Sequence, residues 1–364
     1  VSILELFHGP TAAFKDFGLQ LAAAFFNKVL ESENKTAIVL GATSGDTGSA
    51  AIDACKSYNR IKSFIMLPNG NMSEVQRRQM STIKAANVFA LRINGTFDDC
   101  QDLVKLAFKK RDFLKTDQYL LAVNSINWTR IIGQICYYFY AYNQLYKKEN
   151  LNFSIPTGNF GNVFACYSAH KMGLPINKIS VAVNNNDILH RFFSSNDYSK
   201  QLVHETISPS MDISVASNFE RLVYDFFLSR NSSKCAKMFE NFPMKPIELD
   251  VETWQRKDSL FSSSKVDDLE TTKTIQEIYQ ANGYILDPHT AVAAVEAIKK
   301  SDSSNHFVVL STAHPAKFPQ VYEELNIEIN SLPAALSGLF KKEEHLHSFD
   351  ADYNQVTNFI KLNN

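Results

Sequence analysis

The groups in this chain able to do chemistry are one unusually placed lysine, three loops of glycine, hydroxyl and amide residues, and an arginine beside two asparagines. The lysine is Lys15, in Phe7-His8-Gly9-Pro10-Thr11-Ala12-Ala13-Phe14-Lys15-Asp16-Phe17-Gly18. Gly9-Pro10 signals a turn. The helical spacing of Leu19, Leu21, Ala22, Phe25, Phe26 and Val29 then places Lys15 in the first turn of a helix. A helix N-terminus disfavours an ammonium group, and Phe14 and Phe17 flank the lysine. Both features lower an amine's pKa, which suits a nucleophile that forms a Schiff base. The alternative is a side chain that reaches solvent while Asp16 complements the dipole.

Gly41-Ala42-Thr43-Ser44-Gly45-Asp46-Thr47-Gly48 fits neither a Walker A loop nor the G-x-G-x-x-G dinucleotide fingerprint. Asp46 also argues against a polyphosphate there. Thr43, Ser44 and Thr47 with their backbone amides suit a single carboxylate at a helix N-terminus, or else merely cap a tight turn. Thr157-Gly158-Asn159-Phe160-Gly161-Asn162 suits a monophosphate, because two glycines let amides converge ahead of a helix. It carries no lysine or arginine, as befits a cup for a retained cofactor; a plain glycine turn is the alternative. Asn124-Ser125-x-Asn127-x-x-Arg130 reads as a second, stronger anion site for a substrate, or as a capped helix with an ordinary ion pair. A reactive lysine, a cofactor phosphate cup and a substrate anion site together suggest pyridoxal phosphate acting on a phosphorylated amino acid.

The elements that must position these loops alternate along the chain. Strands are predicted at Ile3 to Phe7, Lys35 to Leu40, Phe64 to Leu67, Val88 to Ile93, Tyr119 to Val123, Phe153 to Ile155, Ile179 to Val183 and Phe307 to Leu310, with helices between them and an aromatic helix ending near Tyr146. Such alternation means parallel sheets covered on both faces, with ligands beyond the carboxyl ends of the strands. Residues 186–264 read as mainly helical packing. Asp287 and Pro288 suit N-cap and first-turn positions of a further helix.

With 37 basic and 38 acidic residues the formal net charge is -1, so no global field draws the chain to nucleic acid or an anionic membrane. The apolar runs are too short or too polar to span a bilayer, and a cytoplasmic protein is expected. Five scattered cysteines suggest reduced thiols, and no metal is expected; the His345-x-His347 pair reads as an exposed polar tail.

The Lys15 stretch, the loops 41–48, 124–127 and 158–161, Asp287-Pro288-His289-Thr290-Ala291 and Thr312-Ala313-His314-Pro315-Ala316-Lys317-Phe318 occur in the order seen in threonine synthases, and the chain resembles the bacterial and fungal branch of that family up to about Phe318. The resemblance implies an α/β, fold type II pyridoxal-phosphate enzyme, similar to the tryptophan synthase β-subunit, with two open, twisted, mostly parallel sheets. It implies a larger cofactor-binding domain of residues 1–35 and 147–335, a smaller domain of 36–146 and a C-terminal segment of 336–364. The implied reaction is that of a lyase of threonine biosynthesis, converting O-phospho-L-homoserine and water to L-threonine and phosphate, in a monomer or homodimer. Carried over by position, Lys15 holds the cofactor and moves protons. Gly158, Asn159, Phe160, Gly161 and Asn162 hold its phosphate, Thr312 meets its pyridine nitrogen, and Asp46 lies near its 3-oxygen. Thr43, Ser44 and Thr47 take the substrate carboxylate, and Asn124, Ser125 and Arg130 its phosphate.

The family's usual N-terminal region has no counterpart here, and the beginning of the natural protein is expected to be missing. Asn162 stands where many members have aspartate. Residues after about Pro319 match the pattern poorly. A related phospho-lyase releasing a 2-oxo acid and a non-catalytic remnant that binds the cofactor both stay open. A dehydratase of unphosphorylated serine or threonine would not need Arg130 with Asn124 and Ser125.

Overall fold

The β-branched and aromatic runs fold as expected and two further strands join them. In a computed structural model, which describes residues 1–70, 72–145, 151–329 and 332–364, the strands are β1 (Ser2–Glu5), β2 (Thr36–Ala42), β3 (Ile61–Pro68), β4 (Val88–Asn94), β5 (Gln118–Ala122), β6 (Leu151–Pro156), β7 (Ile176–Val183), β8 (Phe261–Lys265), β9 (His306–Ser311) and β10 (Leu346–Asp350). One sheet runs β1-β9-β6-β7-β8 and the other β10-β4-β3-β2-β5. Every strand pairing in them is parallel.

The chain divides into two units. The first comprises Val1–Leu6, Ile131–Pro315 and Gln320–Glu328, and the second Phe7–Arg130, Ala316–Pro319 and Ile329–Asn364. This differs from the expected division in several places. Helix α1 (Lys15–Glu33) belongs to the second unit, because its Leu19, Ala23 and Leu30 join a core with Ala50, Ala51 and Ala54 of helix α2 (Asp46–Cys55). The C-terminal segment also belongs there. β10 pairs with β4, and Tyr353, Val356 and Ile360 pack with Phe64 and Leu91. The boundary expected at 146/147 falls instead at 130/131, so that Ile131 to Leu145 belong to the first unit; the expected helix end near Tyr146 lies outside the described residues.

In the second unit the two faces of one sheet have separate cores. Ala37 and Val39 of β2 enter one, and Ile38 and Leu40 the other. That is the period-two alternation of a strand buried on both faces. In the first unit, helix α6 (Gly161–Lys171) follows β6 directly, so the loop between them lies at a strand's carboxyl end. The stretch 186–264 is less helical than expected. It contributes β8, and the helix from Phe219 passes at Val223–Phe227 into a π-helical turn.

Candidate active site

The turn that presents Lys15 is braced from below. Asp16 accepts hydrogen bonds from the Thr11 amide at 2.9 Å and the Thr11 hydroxyl at 2.6 Å. A side chain on Gly9 would place its Cβ only 2.5 Å from Asp16 Oδ2, which explains a glycine there. Helix α1 therefore begins at Lys15 itself, without a side-chain cap. Lys15 is 5% exposed, which rules out a side chain reaching solvent. Its Nζ lies 5.3 Å from the centre of the Phe14 ring, whereas Phe17 is an exposed residue.

Lys15 Nζ stands 3.6 Å from Asp46 Oδ2 at the start of α2. Asp46 Oδ1 also pairs with Lys317 Nζ at 2.7 Å and accepts from Gln76 Nε2 at 2.8 Å. Lys317 in turn donates to the Thr11 carbonyl at 2.9 Å. Burial lowers the Lys15 pKa; Asp46 opposes that shift, while Lys317 and Arg130 add to it. Asp46 is held well below the usual carboxylate range, its burial outweighed by Lys317 and Lys15. An amine biased towards its neutral form beside a fixed negative charge can act as a nucleophile and as a proton carrier.

Around the rest of this loop the hydroxyls divide. Thr43 Oγ1 accepts from the amides of Gly45 at 3.0 Å and Gly48 at 2.9 Å and donates to the Gly45 carbonyl at 3.1 Å. These bonds make Thr43 the residue that shapes the turn. Ser44 and Thr47 are half-buried on the same turn. At the end of β5, Asn124 Oδ1 accepts from the Ile126 amide and Asn127 Oδ1 from the Thr129 amide, which sets up helix α5 (Trp128–Gln144). Asn124 is exposed and Ser125 half-buried, but Arg130 is 2% exposed, with Nη1 donating to the Val123 carbonyl at 2.8 Å.

In the first unit the loop 157–162 forms a tight cup. Phe160 has a φ of 65°, Asn159 Oδ1 accepts from the Gly161 amide at 2.8 Å, and Thr157 Oγ1 accepts from the Phe160 amide at 3.2 Å. Asn162 is buried; its Oδ1 accepts from Tyr137 and Tyr138, and its Nδ2 has no hydrogen-bond partner among the described residues. A buried amide donor left over beside a glycine-lined cup fits a phosphate group. A Cβ on Gly158 would come within 3.0 Å of Met211 Cα and 3.2 Å of Ile213 Cγ1, so a larger residue requires the wall behind the cup to give by a few tenths of an ångström. Gly158→Ala is expected to cost about 1–3 kcal/mol of stability through overpacking, read from denaturant unfolding.

Several supporting residues carried no role in the sequence reading. Asn218 donates through Nδ2 and its backbone amide to the Asn159 carbonyl. Asp287 caps its helix as expected, but the motif around it does more. His289 Nε2 accepts from the Ser210 amide at 3.1 Å, which fixes the segment carrying Met211, while Nδ1 faces Asp287 Oδ1. Thr290 Oγ1 donates to Asp287 and accepts from the Thr312 amide at 3.3 Å, so this motif also fixes the strand end bearing buried Thr312. Of the predicted residues, then, Lys15, Asp46, Thr43, Ser44, Thr47, Asn124, Ser125 and Arg130 belong to the second unit. Gly158, Asn159, Phe160, Gly161, Asn162 and Thr312 belong to the first.

The model of the pyridoxal-phosphate dependent enzyme family matches residues 4–237, and that of the threonine synthase C-terminal region matches 290–360. The family likeness therefore continues beyond Pro319, contrary to the expectation from the motifs. A threonine synthase of Pseudomonas aeruginosa is 46% identical over 98% of this chain and 77% of its own length. That of Saccharomyces cerevisiae is 39% identical, covering 99% and 77%. The crystal structure of a pyridoxal-phosphate-bound threonine synthase from Brucella melitensis superposes with a TM-score of 0.94 at 40% identity, over 99% of this chain and 78% of that one. A maize serine racemase, at 15% identity and a TM-score of 0.59, shares the fold. The chain belongs to the threonine synthase family of fold type II pyridoxal-phosphate-dependent enzymes.

Proposed function

We propose that this chain converts O-phospho-L-homoserine and water to L-threonine and phosphate. The observation that carries the reading is the buried Lys15 amine, 3.6 Å from Asp46, in the motif whose resemblance to the family assigns it as the cofactor lysine. Lys15 and Asp46 are assigned to the reactive end of pyridoxal phosphate, Gly158, Asn159, Phe160, Gly161 and Asn162 to its phosphate, and Thr312 to its pyridine nitrogen. Bound there, the cofactor supplies an electron sink for charge developing at the substrate's Cα.

The chain's own groups supply the rest. The Lys15 amine takes the proton from Cα and returns protons later in the sequence. Ser44, Thr47 and the amides of their loop, shaped by Thr43, hold the substrate carboxylate at the start of α2. A second proton leaves Cβ, and the electron pair it leaves behind expels phosphate from Cγ; Arg130, Asn124 and Ser125 bind that phosphate and take up its charge as the Cγ–O bond breaks, after which Cγ is protonated. Water then adds at Cβ, giving the threonine hydroxyl. No helix among the described residues is long and apolar enough to cross a membrane. A cytoplasmic monomer or homodimer is the setting we assign.

The experiment is incubation with O-phospho-L-homoserine and assay of both products in one sample. Equal phosphate and threonine support the reading, whereas phosphate with a 2-oxo acid would place the chain among phospho-lyases. Arg130→Ala should keep the cofactor's visible absorption and raise the KM for phosphohomoserine about 10- to 150-fold, the equivalent of about 1.5–3 kcal/mol for hydrogen bonds to a charged group. An unchanged KM would remove Arg130 from the substrate site.

A further inference from the structure

We infer that Lys317 is a positioning residue that occupies the Asp46 carboxylate and thereby leaves Lys15 as the lysine free to react. Two buried lysines compete for one buried aspartate, and the geometry is unequal. Lys317 Nζ is 2.7 Å from Asp46 Oδ1 and also donates to the Thr11 carbonyl at 2.9 Å, while Lys15 stands 3.6 Å from Oδ2. Lys317 is 0% exposed, so its charge sits inside the second unit without water to screen it. Gln76 Nε2, donating to the same Oδ1 at 2.8 Å, fixes the carboxylate further towards the Lys317 side.

The charged groups acting on Lys15 are Asp46 from α2, Lys317 from the turn Pro315–Lys317 and Arg130 from the start of α5. Asp46 favours the ammonium form; Lys317 and Arg130 oppose it. Lys317 therefore acts twice, by holding the carboxylate that would otherwise pair fully with Lys15 and by repelling a second ammonium. Exchanging Lys317 for a neutral side chain of similar length leaves Asp46 and Lys15 to pair with each other.

The inference rests on Lys15 being the reactive amine, and its test separates the two. In cofactor-free protein, Lys15 is acylated with acetic anhydride across a pH series and quantified by peptide mass spectrometry, with exposed Lys28 of the same helix as reference. The wild type should show a labelling midpoint for Lys15 below that of Lys28. In Lys317→Met the Lys15 midpoint should rise by about one pH unit or more, so that labelling below both midpoints falls about tenfold. Lys317→Arg, which keeps the charge, should retain the low midpoint. An unchanged midpoint in Lys317→Met would overturn the role of Lys317 alone. A wild-type midpoint equal to that of Lys28 would overturn the reactive-amine reading as well. Should Lys317→Met fail to fold, Lys317→Arg decides: a midpoint raised to that of Lys28 despite the retained charge would overturn the inference.

Discussion

Lys15→Ala abolishes the visible absorption of protein mixed with pyridoxal phosphate and lowers turnover of phosphohomoserine by about 10³-fold or more. Loss of a positioned general base alone costs about 10²–10⁴-fold, and here the same amine also carries the cofactor. No neighbour can replace it. Lys317 is the other lysine at Asp46, but it is fully buried and engaged by Asp46 and the Thr11 carbonyl. The absorption spectrum and the turnover should therefore fail together. A variant that retains both would show that Lys15 is not the cofactor lysine.

Asp46→Ala should be the most destabilising single change in this part of the protein. Asp46 is the counter-ion of two buried lysines and an acceptor for Gln76. Removing one partner of a buried pair leaves uncompensated charge and costs about 3–5 kcal/mol. The pH dependence has a definite sign. Because Asp46 is held below the usual carboxylate range in the folded protein, its stabilisation is fully present above its unfolded pKa of about 3.9 and is lost only as acid approaches the lower folded value. The difference between wild type and Asp46→Ala should thus stay constant from pH 7 to about pH 4 and shrink below that. Urea unfolding at several pH values measures it; a gap of less than about 1 kcal/mol at pH 7 would mean that water, not Asp46, neutralises the lysines.

What the sequence made legible was local. Gly9-Pro10 and the apolar spacing after it placed Lys15 at a helix start, and the runs of β2, β3 and β4 announced themselves by branched side chains. What it hid was either polar in composition or remote in partnership. β8 is Phe-Ser-Ser-Ser-Lys, with serines half-buried in the sheet where apolar residues usually signal a strand. β10 contains His347, Ser348 and Asp350, and only its pairing with β4 makes it a strand. In the same way, Asp46 was visible as a loop acid, but Lys317 and Gln76, which define its charge state, come from distant parts of the chain. Thr43 is the local case: its partners are its own neighbours Gly45 and Gly48.

The most direct measurement is turnover of O-phospho-L-homoserine in water carrying heavy oxygen, with both products analysed by mass spectrometry. Elimination at Cγ followed by addition of water at Cβ predicts threonine labelled in its hydroxyl and phosphate without label, in equal amounts. Label in the phosphate would mean cleavage of the phosphorus–oxygen bond by simple hydrolysis, and an unlabelled threonine hydroxyl or a 2-oxo acid in place of threonine would contradict the account.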